Sequence, residues 1–154
     1  MNRIGLDEQT AIKLIEGLDE LLANYQVLYQ NVRGYHWNIR GDKFFELHAK
    51  FELTYNDLIT KIDEVAERIL TLGGTPSHSY SSYLKNSGIK EHTGVHDGNA
   101  CVSGLLDGYQ SLLKQQRSLL SKAAEAGDEG TVTLLSDYIA AQEKEVWMLS
   151  AYIA

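Results

Sequence analysis

Two histidines and three carboxylates, His36, His48, Glu52, Asp63 and Glu67, lie close together in the first half of the chain. Imidazole and carboxylate are the side chains that hold hard or borderline divalent metals, so metal chemistry is the first reading of this stretch. From Asp42 to Leu72 the apolar residues fall at 44, 47, 51, 55, 58, 62, 65, 69 and 72. Steps of three and four residues predict one long amphipathic helix. At about 100° per residue, positions 48, 52, 63 and 67 project at roughly 0°, 40°, 60° and 100°, so four of the five groups share one stripe. Taken singly, His36 reads as a structural histidine and Asp63–Glu67 as a solvated i,i+4 pair; only the joint pattern carries the metal reading.

One copy of this helix cannot close a site. His48 and Asp63 are fifteen residues apart, roughly 22 Å along a helix rising about 1.5 Å per residue, whereas metal–ligand bonds are near ~2 Å. Either another helix of the same chain or a second copy of this one supplies the missing ligands. Two copies packed antiparallel about a two-fold axis would set His48 and Glu52 of one against Asp63 and Glu67 of the other, and such an isologous interface carries two sites. The second option is favoured, because the other helices offer few inward His or Glu residues.

The elements that must position these groups are legible as four long helices. The first runs from about Asp7, a good N-cap, to Tyr35 through apolar positions 11, 14, 18, 21, 25, 28, 32 and 35. Gly41-Asp42 is expected to turn the chain and cap the second helix, and so short a connection implies antiparallel neighbours. Gly73-Gly74, with Pro76 just beyond, ends that helix. Residues 75–97 are long for a connection and either cross the bundle or hold a short helix near Ser82–Asn86, whose Tyr80, Tyr83 and Leu84 would bury something. A third long helix is expected over Asn99–Ala126, with Gln116 inside its apolar stripe, and a fourth from Asp128–Thr131 to Tyr152 through Leu134, Leu135, Tyr138, Ala141, Val146 and Leu149. The fold class is therefore all-α, a four-helix bundle with one crossover, in a single domain over 1–154. No internal repeat or low-complexity segment interrupts it.

The chain has 154 residues, 44% of them apolar, enough for one globular core. Formal charge is −7, from 14 basic and 21 acidic residues. That balance argues against a dedicated nucleic-acid binder, which neutralises phosphates with Lys and Arg. The single cysteine, Cys101, cannot form an intrachain disulfide and suits a reducing, cytoplasmic setting. No apolar run approaches the roughly 20 residues a bilayer demands, and the N-terminal residues lack the apolar segment of a signal peptide. The nine tyrosines read as core and interface packing, and His78, His92 and His96 as surface residues of the long connection.

The common di-iron bundle takes a Glu-x-x-His motif from each of two helices, and no Glu-x-x-His occurs here. The ligand types have moved instead to one helix face and the corner before it. The sequence there resembles the Dps family, small ferritins built from twelve subunits. The resemblance covers nearly the whole chain and is densest at Tyr35-His36-Trp37, at Gly41-x-x-Phe44-Phe45-x-Leu47-His48-x-Lys50-Phe51, and from Asp63-Glu64-Val65-Ala66-Glu67 through Gly73-Gly74-x-Pro76. It implies a ferritin-like four-helix bundle with a short helix in the long crossover between the second and third long helices, and a homododecamer with a ferroxidase site shared across a two-fold axis. His36, His48 and Glu52 match the ligands of one subunit, Asp63 and Glu67 those of the partner, and Trp37 the aromatic beside the site that relays or traps oxidising equivalents. The implied activity is oxidation of Fe²⁺, preferentially by hydrogen peroxide, and storage of iron as ferric mineral.

Departures from the family pattern are specific. Glu52 stands where members carry Asp, and Glu145 where a His is common. Some members bind DNA through a Lys-rich tail, yet residues 1–10 here hold only Arg3 against Asp7 and Glu8. Twelve copies at −7 total roughly −84, repulsive toward a polyanion. Ala124 and Thr133 replace acids usual at the iron-entry pore, with Glu125, Asp128 and Glu129 nearby. An iron-oxidising storage enzyme is therefore expected over a nucleoid-compacting DNA-binding shell; a shell occupied by Zn or Mn is the third reading that the ligand types allow.

Overall fold

A first helix, α1, spans Glu8–Asn38 because its apolar residues recur every three or four positions and its start is capped. Asp7 accepts from the Thr10 amide at 2.9 Å and from the Thr10 hydroxyl at 2.8 Å, and these bonds hold its carboxyl below the usual carboxylate range. All eight positions of the expected stripe, 11 through 35, are buried. The computed structural model describes residues 1–154, and the other elements are α2 (Phe44–Thr71), α3 (Tyr80–Asn86), α4 (Gly98–Glu125) and α5 (Glu129–Ile153), with no strand. The most extensive contacts run between α1 and α2 and between α4 and α5, the antiparallel pairs joined by short connections. No helix is long and apolar enough to cross a membrane.

The turn into α2 differs from expectation. Gly41 takes φ +110°, but Asp42 is not the cap: Lys43 occupies that position without a side-chain capping bond. The Phe44 amide instead reaches back to the Gly41 carbonyl at 3.2 Å, so a tight turn satisfies the first donor and leaves Asp42 exposed. At the far end Gly73 (φ +96°) and Gly74 donate to Leu70 and Ile69. These two bonds are the Schellman closure that a left-handed glycine permits. The same pair of bonds closes α4 at Gly127.

The long connection crosses α1 as a strap, and α1 carries the staples. Asn24 Oδ1 accepts from the Ser87 hydroxyl and the Gly88 amide. Two turns along, Asn31 accepts from the His92 amide at 2.9 Å and donates to the Lys90 carbonyl at 2.9 Å. Asp19 holds Ser77 by amide and hydroxyl. These are polar residues on a mostly buried helix, and each is buried or half-buried because it answers a loop backbone group that would otherwise lose its water. The short helix inside the strap begins at Tyr80, two residues before the expected Ser82, with Ser79 as its cap.

At the centre of the bundle the core turns polar. Tyr25 donates to Gln116, Gln116 to Gln142, and Gln142 back to Tyr25, a closed ring with the two amide links at 2.8 and 2.7 Å. Gln116 and Gln142 are 0% and 1% exposed. On α5 the buried position is thus Gln142, not the expected Ala141, which is exposed. The extra reach of glutamine lets it join the ring, which no alanine could complete. Arg68 ties α2 to the α4–α5 turn, meeting buried Asp128 at 2.6 Å and the Thr131 hydroxyl at 2.9 Å.

Candidate metal centre

The short connection after α1 sets the last turn of that helix beside the first turns of α2, and so brings His36 against His48. Their rings stack at 3.8 Å between centroids with 11° between planes. Phe44 stacks on the other face of His48 at 4.9 Å, and Tyr55 meets the edge of His36 at 5.3 Å. Each imidazole also binds the other's backbone: His36 Nδ1 lies 2.6 Å from the His48 carbonyl oxygen, and His48 Nδ1 lies 2.7 Å from the His36 carbonyl oxygen. A carbonyl only accepts, so both Nδ1 atoms carry the proton and donate. In the neutral rings both Nε2 atoms then hold a free lone pair. Fixing the tautomer through the second nitrogen is how proteins prepare histidines for metals.

The carboxylates do not join them within one chain. Glu52, one turn beyond His48, and Asp63 and Glu67 further along α2 are all exposed. No three His, Cys, Asp or Glu residues of the single chain gather closely enough to hold a metal ion. The structure therefore brings together a preorganised histidine pair that is nearly buried at His36 (7% exposed), and leaves three acids on an open helix face. Cys101 is no ligand here: it is fully buried, and burial pushes its thiol up to about 11. Glu145, at the position where a His was expected, ion-pairs with Lys50 at 2.7 Å and ties α5 to α2.

Trp37 is 55% exposed. The Arg33 guanidinium sits 4.6 Å over its ring and 5.3 Å over Tyr29. It lines a groove of about 570 Å³ between α1 and the strap, together with Tyr80, Tyr83 and His92. His92 and His96 are exposed, as the sequence led one to expect, but each ring is also engaged, His92 with the Tyr35 hydroxyl at 2.6 Å and His96 with the Asn38 carbonyl at 2.9 Å. No local pattern marks these bonds, since each spans more than fifty residues of chain.

A family model for the ferritin-like domain matches residues 15–154. The DNA protection during starvation protein of Porphyromonas gingivalis is 48% identical over 148 residues, covering 96% of this chain and 93% of its own. The crystal structure of the Dps protein from Vibrio cholerae O1, described as a member of a broad superfamily of ferritin-like diiron-carboxylate proteins, superposes with a TM-score of 0.99 at 60% identity, over 100% of this chain and 97% of that one. A Dps from Listeria innocua, solved with two histidines twelve residues apart both changed to glycine, matches with a TM-score of 0.88 at 26% identity, over 91% of this chain and 93% of that one. All-α architecture, a short helix in the long crossover between α2 and α4 and near-complete coverage by these relatives agree, and the chain belongs to the Dps family of ferritin-like proteins.

Proposed function

We propose that this protein oxidises Fe²⁺, preferentially with hydrogen peroxide, at a site shared by two subunits, and stores the product as ferric mineral inside a homododecameric shell. His36, His48 and Glu52 of one subunit and Asp63 and Glu67 of the partner subunit hold the iron. The observation that carries this reading is the locked histidine pair with two free Nε2 lone pairs, around which no group of three His, Cys, Asp or Glu residues of one chain gathers. A half-site prepared in this way is completed by a second copy. The twelve-residue spacing of the substituted histidines in the Listeria innocua Dps equals that of His36 and His48, which supports the pair as the chosen ligands.

The exposed surface of α2 supports the same pairing. Phe45 (84% exposed), Ile59 (41%) and Leu70 (56%) are large apolar residues facing solvent in the single chain. Relative to His48 they project at roughly 60°, 20° and 40°, within the ligand stripe. An antiparallel two-fold that sets 48 against 67 and 52 against 63 also sets Phe45 against Leu70 and Asn56 against Ile59. The ligands would then lie in a dry, apolar interface, which strengthens charge interactions around the metal.

Mixed imidazole and carboxylate ligation suits the reaction. Carboxylates favour Fe³⁺ over Fe²⁺, and the neutral imidazoles leave room in the charge balance for an anionic oxygen product. Two Fe²⁺ ions each yield one electron to one peroxide, whose oxygen–oxygen bond breaks to give water rather than a free radical. Trp37, one residue beyond His36, is placed to intercept equivalents that escape this pairing. A DNA-compacting role is disfavoured, because residues 1–10 hold one base, Arg3, against Asp7 and Glu8, and the whole chain carries −7. Anaerobic Fe²⁺ loading followed by peroxide tests the reading. We expect rapid ferric absorbance with about two Fe²⁺ consumed per peroxide; no acceleration over the protein-free reaction would overturn it.

A further inference from the structure

Tyr35 is 1% exposed, and its hydroxyl lies 2.6 Å from His92 Nδ1 with the rings edge-on at 5.5 Å. The arrangement is held from three sides. Asn31 fixes the His92 backbone through its amide. Phe51 packs on the Tyr35 ring at 5.6 Å. Gly104 on α4 keeps the space open, since a Cβ there would clash with the Tyr35 hydroxyl and stand 2.7 Å from His92 Nδ1. His92 itself borders a second cleft, of about 290 Å³, shared with Asp107 and Ser111, and its residue is exposed. The phenol is thus buried while its partner base reaches solvent.

We propose that Tyr35 and His92 form a redox-active pair that takes up oxidising equivalents. In the step, Tyr35 loses one electron and its O–H bond breaks, the proton passing to His92 Nδ1. A neutral tyrosyl radical and an imidazolium result. The electron reduces a one-electron oxidant of the hydroxyl-radical class to hydroxide, and the proton that His92 then releases from Nε2 converts the hydroxide to water. That oxidant arises wherever Fe²⁺ meets peroxide without a paired iron, so the biological source rests on the iron-oxidising reading above, whereas the chemistry of the pair does not.

Two features set Tyr35 apart from Tyr25 and Tyr83. A buried ring cannot be reached by a diffusing radical, so the electron must tunnel, and a proton cannot follow unless an acceptor is already in hydrogen-bond contact. An oxidised phenol is a strong acid, and imidazole, with an ordinary value near ~6.5, accepts its proton. The Tyr25 and Tyr83 hydroxyls donate to an amide and to a backbone carbonyl, neither of which takes up a proton. Finally, Tyr35 is bonded directly to His36, and its packing partner Phe51 lies on α2 between His48 and Glu52.

The test uses the assembled wild-type protein, Tyr35→Phe, which keeps the ring and its packing, and His92→Gln, which keeps an acceptor but cannot take the proton. Each is oxidised with photogenerated tris-bipyridyl ruthenium(III), frozen and examined by electron paramagnetic resonance, after size and helicity are matched. We expect a neutral tyrosyl signal in the wild type, its loss in Tyr35→Phe and a severalfold lower yield in His92→Gln. No tyrosyl signal in the wild type, an unchanged signal in Tyr35→Phe, or an undiminished yield in His92→Gln overturns the proposal. A parallel arm replaces ruthenium with Fe²⁺ and peroxide. Silence there alongside a positive ruthenium arm removes Fe²⁺ and peroxide as the source of the oxidant and leaves the pair standing, while the iron-oxidising reading stands or falls separately on the ferric absorbance.

Discussion

The reciprocal bonds between His36 and His48 are the most informative residue-scale feature, because each ring orients the other and both present the same nitrogen. Removing either ring removes a candidate ligand and also releases its neighbour. The Tyr25–Gln116–Gln142 ring works by the same rule in the core, with every donor matched to an acceptor. Gln116→Leu would leave the Tyr25 hydroxyl without its acceptor and Gln142 without its donor, at a cost of about 1–3 kcal/mol for each buried group left unsatisfied. We expect a lower midpoint in thermal unfolding, measured at equal subunit concentration, with the metal ligands untouched. An unchanged midpoint would mean that the ring relaxes or admits water at no cost.

At the scale of elements, α2 carries two faces with different tasks. One buries Leu47, Phe51, Leu58, Val65 and Ile69 against the bundle, while the opposite stripe mixes carboxylates with exposed Phe45, Ile59 and Leu70. In the proposed pairing Ile59 lies close to the two-fold axis. Ile59→Asp would place two carboxylates near each other in a desolvated seam, which like charges resist. Sedimentation should then show species smaller than the wild-type assembly, while circular dichroism retains the helices, because Ile59 takes no part in the intrachain core. An assembly of wild-type size would remove the α2 stripe as the contact.

For the whole molecule, the question is which subunit supplies which ligand. His48→Ala and Asp63→Ala should each be nearly inactive toward Fe²⁺ and peroxide. When the two are dissociated, mixed and reassembled, half of the two-fold pairs contain one of each. In such a pair one site lacks both residues and the other is intact, so about a quarter of all sites recover. Activity should return to roughly that fraction; with reassembly confirmed by mass, no return would place the site within one subunit. Charge makes a separate whole-molecule prediction. At −7 per chain, the assembly should not retard plasmid DNA at physiological salt, and a salt-sensitive shift at sub-micromolar protein would show a basic surface that the sum conceals.

The long helices were legible because three-and-four spacing is a local signal: every position of the stripe in α1 proved buried, and glycines ended α2 and α4 where left-handed backbone was needed. The candidate ligands were legible for a similar reason, since the stripe on α2 follows from residue number alone, and the need for a second helix followed from the length of fifteen residues. The tertiary structure decided what depends on groups far apart in the chain. Spacing offers no hint that His36 and His48 stack and exchange backbone bonds, because the angle between two helices sets that contact. His92 is the exposed loop histidine its sequence suggests, but its bond to Tyr35 exists only once α1 and the strap are folded together, and Gln142 rather than Ala141 turned inward because partners on α1 and α4 were there to receive it. Periodicity reports which face of a helix is buried; which polar group on that face finds a partner is settled only when the helices meet.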